Sequence, residues 1–156
     1  MGNELQESQK APEFDLPGDG GARIRLADLR GTAAVVYFYP KDDTSGCTKE
    51  AIAFSQLKGE FEAAGARIVG ISADPPAKHD AFKTKHELTI ALASDEEKEV
   101  LEAYGVWVEK SMYGRRYMGI ERSTFLIDKT GTIARIWRKV RVPGHAEQVL
   151  EAVKAL

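Results

Sequence analysis

The apolar run AAVVYFY at residues 33–39 limits the possible folds of this chain more than any other stretch. Its side chains are β-branched, aromatic or small, which favours a strand. They do not alternate with polar residues, so both faces of that strand must be covered. A strand of this kind lies in the middle of a sheet with helices on each side. The run is far too short to cross a membrane.

Helices and strands alternate after this run. Residues 51, 54, 57, 61 and 64 are apolar and recur at intervals of three and four, which predicts an amphipathic helix that ends near Gly65. The runs ARIVGISAD at 66–74 and TIALAS at 89–94 predict two more buried strands. The last twelve residues, HAEQVLEAVKAL, predict a final helix.

Helix starts and hairpins complete the pattern. Asp74 before two prolines predicts an N-cap, and Ser94 with Glu97 predicts a capping box. The segment EFDLPGDGGARIRL at 13–26 predicts two short strands around a glycine-rich turn. The segment STFLIDKTGTIARIWR at 123–138 predicts a second hairpin that turns at its glycine.

The order of these elements predicts the fold class. Parallel β-α-β crossovers followed by an antiparallel hairpin and a helix predict an α/β protein with a mixed central sheet, helices on both faces and an N-terminal β-hairpin. This is the order of a thioredoxin-like fold. A length of 156 residues suits one domain. We place that domain at residues 11–156, behind a flexible N-terminal leader at residues 1–10.

Composition excludes several classes of protein. Hydrophobic residues make up 43% and charged residues 29%, as in an ordinary globular protein, and the net charge of −2 does not favour nucleic-acid binding. The first ten residues have no apolar core of a secretory signal, and a single cysteine cannot form an internal disulfide. We therefore expect a cytoplasmic protein that binds neither membrane nor nucleic acid.

The three histidines do not suggest a metal site. His79, His86 and His145 are scattered along the chain, and no Cys/His cluster has the spacing of a zinc site. We expect each histidine to lie on the surface, and we expect no metal and no cofactor.

The only cysteine, Cys47, falls where the strand at 33–39 has ended and the amphipathic helix begins. The polar stretch at 41–45 predicts a position near the surface. Ligand sites in open α/β sheets lie at the carboxyl ends of strands, and a helix N-terminus stabilises a thiolate. Ionising most of an ordinary thiol at pH 7 needs about 2.7 kcal/mol, whereas a helix end supplies about 0.3–1 kcal/mol. A nearby arginine is the natural second contributor.

Arg122 is the candidate for that arginine. If the strand at 123–128 runs antiparallel to the strand at 33–39, its start lies beside the end of the earlier strand, and Arg122 directly precedes it. Arg115 and Arg116 are rivals, but we place them in a solvated turn. The residues alone leave open that Arg122 is an ordinary surface arginine.

Two segments resemble the landmarks of peroxiredoxins. PKDDTSGCTKEA at 40–51 resembles their P-x-x-x-T-x-x-C active-site motif, and GIERSTFLID at 119–128 resembles the arginine that opens a late strand. The surrounding segments APEFDLP, YGVW and KSMYG are similar to the peroxiredoxin Q branch, also called bacterioferritin comigratory proteins. The likeness covers residues 11–156.

The resemblance implies a thiol-dependent peroxidase of antioxidant defence that reduces hydrogen peroxide and organic hydroperoxides. Cys47 would attack the peroxide and become a sulfenic acid. Thr44 would orient the thiolate and the peroxide, and Arg122 would stabilise the charge that develops.

Three further residues are implied at the substrate. Pro40 would shield the sulfur from water, and Glu50 would orient an arginine or the substrate. Gly46 would lie at the substrate and give the loop backbone freedom. Plain structural roles stay open for each: Pro40 as a strand terminator and Glu50 as a solvated helix charge.

One departure from the branch concerns the reductant. Many members have a resolving cysteine five residues after the first, where this chain has Ile52. The cycle must then use one cysteine and an external thiol, such as thioredoxin, glutaredoxin with glutathione, or a small thiol. We expect a monomer or a weak dimer. Ile52 would be partly exposed as a rim for the reductant, or buried against a loop.

Two other classes of function are weighed against the peroxidase. One is a monothiol thioredoxin-like disulfide oxidoreductase, against which the absence of a C-x-x-C motif counts. The other is a non-catalytic thioredoxin-like binding module in which Cys47 is incidental. Peroxide consumption measured with and without an added thiol separates the three.

Overall fold

The computed structural model describes residues 5–156 and is built on a five-stranded sheet. The strands are β1 (Asp15–Pro17), β2 (Arg23–Arg25), β3 (Ala33–Phe38), β4 (Ala66–Ser72), β5 (Ala91–Ser94), β6 (Trp107–Met112), β7 (Arg115–Ile120), β8 (Ser123–Ile127) and β9 (Ile133–Trp137). The helices are α1 (Ser45–Ala63), α2 (Pro76–His86), α3 (Glu99–Ala103) and α4 (His145–Lys154).

The main sheet has the strand order β5-β4-β3-β8-β9. β3 pairs in parallel with β4, and β4 with β5. β8 lies antiparallel to both β3 and β9. β1 and β2 form the N-terminal hairpin. The predicted mixed sheet of a thioredoxin-like α/β fold is confirmed.

β3 is the central strand, and all six of its residues are buried. Val35 and Tyr37 belong to an apolar cluster with residues of α1, α2 and α4. Val36 and Phe38 belong to a second cluster with residues of α3 and of the N-terminal segment. Successive side chains of a strand point to opposite faces, so this division explains why the run at 33–39 contains no polar alternation.

α1 packs on the sheet through the predicted apolar stripe. Ala51, Phe54 and Phe61 are buried, and the Phe54 ring stacks on Tyr37 with centroids 4.7 Å apart. The helix ends at Ala63, Ala64 is its C-cap, and Gly65 follows in the left-handed region with φ 86°. A glycine accepts that conformation without strain.

The predicted N-cap at Asp74 is wrong. Pro75 occupies the N-cap position of α2. The Asp74 carboxylate instead accepts hydrogen bonds from the Ser72 hydroxyl and the Asp42 amide, at 2.7 and 2.8 Å. The aspartate thus joins two loops rather than starting the helix.

The predicted capping box at Ser94 and Glu97 is also wrong. α3 begins only at Glu99, and its N-cap is Lys98, with φ 64°. Ser94 is buried at the end of β5, and its hydroxyl forms no hydrogen bond with the helix. The Asp95 carboxylate accepts a hydrogen bond from the Leu101 amide instead, at 2.7 Å.

A hairpin of β6 and β7 was not predicted from the sequence. It turns through Tyr113 and Gly114, which both have positive φ. Arg115 and Arg116 are therefore strand residues rather than turn residues, and both are exposed. This ribbon is mostly solvated, so it lacks the apolar run that reveals a buried strand.

Two histidines correct the expectation of surface positions. His79 is fully buried and His145 is 4% exposed, whereas His86 is half-buried. Each buried ring has hydrogen-bond partners, which offsets the cost of its burial.

Part of the N-terminal leader contacts β9. Ser8 and Ile133 pair through the backbone at 2.8 Å, and Lys10 forms a bridge with Thr132. Residues 1–4 lie outside the described residues, and the boundary at residue 11 stays a prediction. Within residues 5–156, no helix combines the length and apolar character needed to cross a membrane.

Candidate active site

Cys47 lies in the first turn of α1, directly after the loop that leaves β3. Thr44 is the N-cap residue, and its carbonyl accepts a hydrogen bond from the Thr48 amide at 2.8 Å. The first-turn amides have no partners within the helix, so they direct positive potential at an anion placed there. The sequence placed the cysteine at this helix start, and the structure agrees.

The sulfur is buried, which corrects the expectation of a surface position. Cys47 is 1% exposed and belongs to the same apolar cluster as Tyr37. It stands four residues before Ala51 and seven before Phe54, so it continues the apolar stripe of α1. The polar loop ahead of the helix does not determine which way the first turn faces.

Arg122 contacts Cys47 from a position directly before β8, the strand that neighbours β3. The antiparallel pairing of β3 and β8, with Phe38 opposite Ser123, is confirmed and places Arg122 beyond the end of β3. Arg122 Nη2 donates a hydrogen bond to Cys47 Sγ at 3.4 Å. A Cβ at Gly46 would stand 3.1 Å from Nη2, so the missing side chain leaves room for the guanidinium.

Glu50 shares the same guanidinium. Arg122 Nη1 donates to Glu50 Oε1 at 2.7 Å, and the Glu50 side chain is 1% exposed. Burial raises the pKa of Glu50 to about 7, although Arg122 opposes this rise. Burial lowers the pKa of Arg122, but attraction to Glu50 and Cys47 outweighs it and the net shift is upward. The loss of hydration on burial therefore changes the pKa of Glu50 more than the ion pair with Arg122 does.

Thr44 and Pro40 lie on the exposed part of the loop. The Thr44 hydroxyl donates to the Lys41 carbonyl at 2.8 Å, which leaves its lone pairs available. Pro40 is exposed immediately after the buried end of the strand run. The structure thus brings Cys47, Gly46, Glu50 and Arg122 together, while Thr44 and Pro40 lie in the loop that precedes the helix.

Arg122 also influences a neighbouring histidine. Burial, followed by repulsion from Arg122, lowers the pKa of His145 to about 4. Its Nε2 lies 2.8 Å from the Thr124 hydroxyl. His145 is therefore neutral at physiological pH and adds no second positive charge behind the guanidinium.

Sequence reasoning missed a buried polar network beneath the loop. Tyr39 donates to Asp42 at 2.5 Å, and His79 Nδ1 lies 2.6 Å from the same carboxylate. Tyr39 directly follows β3, Asp42 lies in the loop, and His79 belongs to α2. No local spacing connects them, so only the folded chain reveals their contact.

The arrangement defines a class of protein. A cysteine at a strand-to-helix junction of a thioredoxin-like fold, bonded to an arginine, is suited to nucleophilic chemistry on a substrate whose oxygen gains negative charge. This is a site for a thiol-based oxidoreductase.

Comparisons with known proteins specify the family. Residues 8–136 match the AhpC/TSA family. Peroxiredoxin Bcp of Bacillus subtilis is 46% identical over 150 residues, 96% of each chain, and that of Escherichia coli is 40% identical over 152 residues, 97% of each. A solved structure of Xanthomonas campestris peroxiredoxin Q is 45% identical with a TM-score of 0.87, covering 91% of this chain and 90% of that one.

The chain belongs to the AhpC/TSA family, within its Bcp or peroxiredoxin Q branch, and it is a thiol peroxidase. A further solved structure, 44% identical, comes from work on the alkyl peroxide reduction activity of the Xanthomonas campestris bacterioferritin comigratory protein. The chain has a single cysteine, Cys47.

Arg122→Ala should slow the alkylation of Cys47 by iodoacetamide at neutral pH by about tenfold, because a hydrogen bond to a charged group contributes about 1.5–3 kcal/mol. Arg116→Ala, which removes an exposed arginine of β7, is the matched control and should leave the rate unchanged. A rate for Arg122→Ala equal to that of the wild type would contradict this role.

Glu50→Gln should change the pH dependence of stability. The folded-state pKa of Glu50 is raised to about 7, so its contribution to stability is complete below about pH 4.5 and is lost as pH rises through about 7. The wild type should therefore lose stability relative to Glu50→Gln between about pH 5 and pH 8, by on the order of 3 kcal/mol. Urea unfolding at several pH values measures this difference. Glu62→Gln, on the exposed face of α1, should give no such trend.

Proposed function

We propose that this peroxidase reduces hydrogen peroxide and organic hydroperoxides through a sulfenic acid on Cys47, as part of antioxidant defence. The hydrogen bond from Arg122 Nη2 to Cys47 Sγ, at 3.4 Å, is the observation that carries the proposal. The alkyl peroxide reduction named for the Xanthomonas campestris relative supports the inclusion of organic hydroperoxides.

The reaction with peroxide is a displacement at oxygen. The Cys47 thiolate attacks the terminal oxygen of ROOH, the S–O bond forms and the O–O bond breaks. The leaving alkoxide takes up a proton and departs as ROH, and Cys47 is left as a sulfenic acid. The sulfur is oxidised by two electrons, and the peroxide is reduced by two.

Arg122 and Glu50 support this displacement electrostatically. The guanidinium stabilises the thiolate before the attack and the transferred and leaving oxygens during it. Glu50, bonded to Nη1, fixes the orientation of the planar fork so that Nη2 faces the sulfur. When Glu50 is protonated, the whole positive charge of Arg122 remains available to the reacting atoms.

The loop residues act on the peroxide. The Thr44 hydroxyl donates its hydrogen bond to the Lys41 carbonyl, so its oxygen is free to accept a hydrogen bond from the O–H of the hydroperoxide. Pro40 shields the sulfur from water and carries no amide hydrogen that would compete. Gly46 lets the backbone approach the substrate and the guanidinium closely.

The sulfenic acid is reduced by an external thiol. The chain has Ile52 five residues after Cys47 and no second cysteine, so no internal disulfide can form. An external thiol attacks the sulfenic sulfur and releases water; a second thiol then releases Cys47 from the mixed disulfide. Thioredoxin, glutaredoxin with glutathione, or a small thiol supplies the two electrons.

Access for that thiol requires a movement of the first turn of α1, because Cys47 is 1% exposed in the intact helix. Ile52 is half-buried and lines a shallow pocket with His86 and Leu88. It offers an apolar rim one turn and a half beyond the sulfur, where the reductant docks. We infer a monomer or weak dimer in the cytoplasm, where thiol reductants return Cys47 to its reduced form.

Peroxide treatment without a thiol should add oxygen to the protein at Cys47, first one atom and then more, as mass spectrometry of the intact chain and its peptides measures. With glutathione present, the product should be the mixed disulfide and then the reduced protein, with continuous peroxide consumption. Cys47→Ser is the control, and it should neither gain oxygen at position 47 nor consume peroxide with glutathione.

Disulfide-linked dimers as the main product would contradict the small-thiol cycle, because a second subunit would then resolve the sulfenic acid. Thiol-disulfide exchange without peroxide consumption would support the monothiol oxidoreductase, and no reaction would support the binding module.

A further inference from the structure

A buried hydrogen-bond network fixes the loop that carries the active-site motif. Asp42, in the middle of the loop, is 7% exposed, and its two carboxylate oxygens have different partners. Oδ1 accepts from the Tyr39 hydroxyl at 2.5 Å, and Oδ2 lies 2.6 Å from His79 Nδ1. His79 Nε2 lies 3.0 Å from the Ala93 carbonyl of β5. The loop is thereby joined to α2 and to the edge of the sheet.

Both ring nitrogens of His79 have a partner. The Ala93 carbonyl can only accept, so Nε2 carries a hydrogen. Nδ1 shares a hydrogen bond with the Asp42 carboxyl group, and both side chains are at most 3% exposed. Removal of one partner leaves the other without compensation.

Two more contacts hold neighbouring positions of the loop. The Asp42 amide donates to the Asp74 carboxylate at 2.8 Å, after β4. Asp43 adopts φ 63°, forms an ion pair with Lys85 of α2 at 2.7 Å and lies 2.8 Å from Nε2 of His86. The held residues stand between Pro40 and Thr44.

We propose that Asp42 and His79 are positioning residues for the peroxide reaction. They hold Pro40 and Thr44 in the geometry that binds and aligns the hydroperoxide over Cys47. The inference rests on the proposed function and adds two residues to it. Misplacement of about 1 Å at a reacting centre can cost about a hundredfold in rate, so a loop anchored by buried hydrogen bonds contributes to catalysis without touching the substrate.

The network is separate from the groups that stabilise the thiolate. Cys47 receives its hydrogen bond from Arg122, and Arg122 is oriented by Glu50 and held through its carbonyl by the Val140 amide at 2.9 Å. None of these contacts includes Asp42 or His79. Loss of the network should therefore slow the attack on peroxide while leaving the reactivity of the sulfur toward an alkylating agent intact.

The test compares two rates in the same variants: sulfenic acid formation with hydrogen peroxide and alkylation with iodoacetamide. Asp42→Ala should lower the peroxide rate by about tenfold or more and change the alkylation rate by less than about twofold. Asp42→Asn should restore the peroxide rate to within about threefold of the wild type. Its oxygen can accept from Tyr39, and its amide can donate to a neutral His79 that keeps Nε2–H on Ala93.

Val153→Ala is the control for lost stability, because it removes buried methyl groups of α4 in the core without touching the loop. It should change neither rate. If Asp42→Ala does not fold, Tyr39→Phe carries the test, since it removes only one hydrogen bond from Asp42; it should lower the peroxide rate by about threefold with alkylation unchanged.

Wild-type peroxide rates in both Asp42→Ala and Tyr39→Phe would overturn the positioning role and leave the proposed function standing. A parallel fall of both rates would also overturn it, because the network would then act on the thiolate. If the peroxide rate of Asp42→Asn is as low as that of Asp42→Ala, the positioning role is overturned, because the reaction would then need the charge of Asp42 rather than its hydrogen bonds. Failure of the wild type to consume peroxide would instead contradict the proposed function.

Discussion

Arg122 is hydrogen-bonded at once to a buried thiol and a buried carboxylate, and the proposed reactivity of Cys47 depends on this shared guanidinium. A helix N-terminus alone supplies about 0.3–1 kcal/mol to an anion. A hydrogen bond from a charged donor adds about 1.5–3 kcal/mol, so Arg122 can stabilise a negative charge on the sulfur more than the helix end does. In the proposed reaction, the same guanidinium would also stabilise the negative charge that oxygen gains during the attack.

Sheet pairing makes that contact possible. Arg122 is 75 positions from Cys47 in the chain, and it meets the sulfur because β8 runs antiparallel to β3 with Phe38 opposite Ser123. A slip of one residue in this register would turn every side chain of β8 to the other face. Burial of all six residues of β3 between two apolar clusters resists such a slip, so core packing and site geometry have the same origin.

The features with a local or periodic signal were predictable from the sequence. The unbroken apolar run identified β3, the three-and-four spacing identified α1, and the order of strands placed Arg122 beside Cys47. Burial of Cys47 was not predictable from its polar approach, because the facing of a first helical turn depends on how the helix docks. Asp74 and Ser94 resembled helix caps in the sequence. In the structure, Asp74 bonds instead to the Asp42 amide, and Ser94 is buried at the end of β5. The contact of Asp42 with His79 joins a loop to a distant helix, and no local spacing signals it.

The most direct test is the second-order rate constant of Cys47 with hydrogen peroxide, measured by stopped flow at a pH where both the protein thiol and free cysteine are fully ionised. Under that condition, any difference reflects stabilisation of the transition state rather than thiolate population. The shared guanidinium predicts that the protein thiolate reacts at least about a hundredfold faster than free cysteine thiolate. Equal rate constants would contradict the account, because the site would then do no more than ionise the thiol.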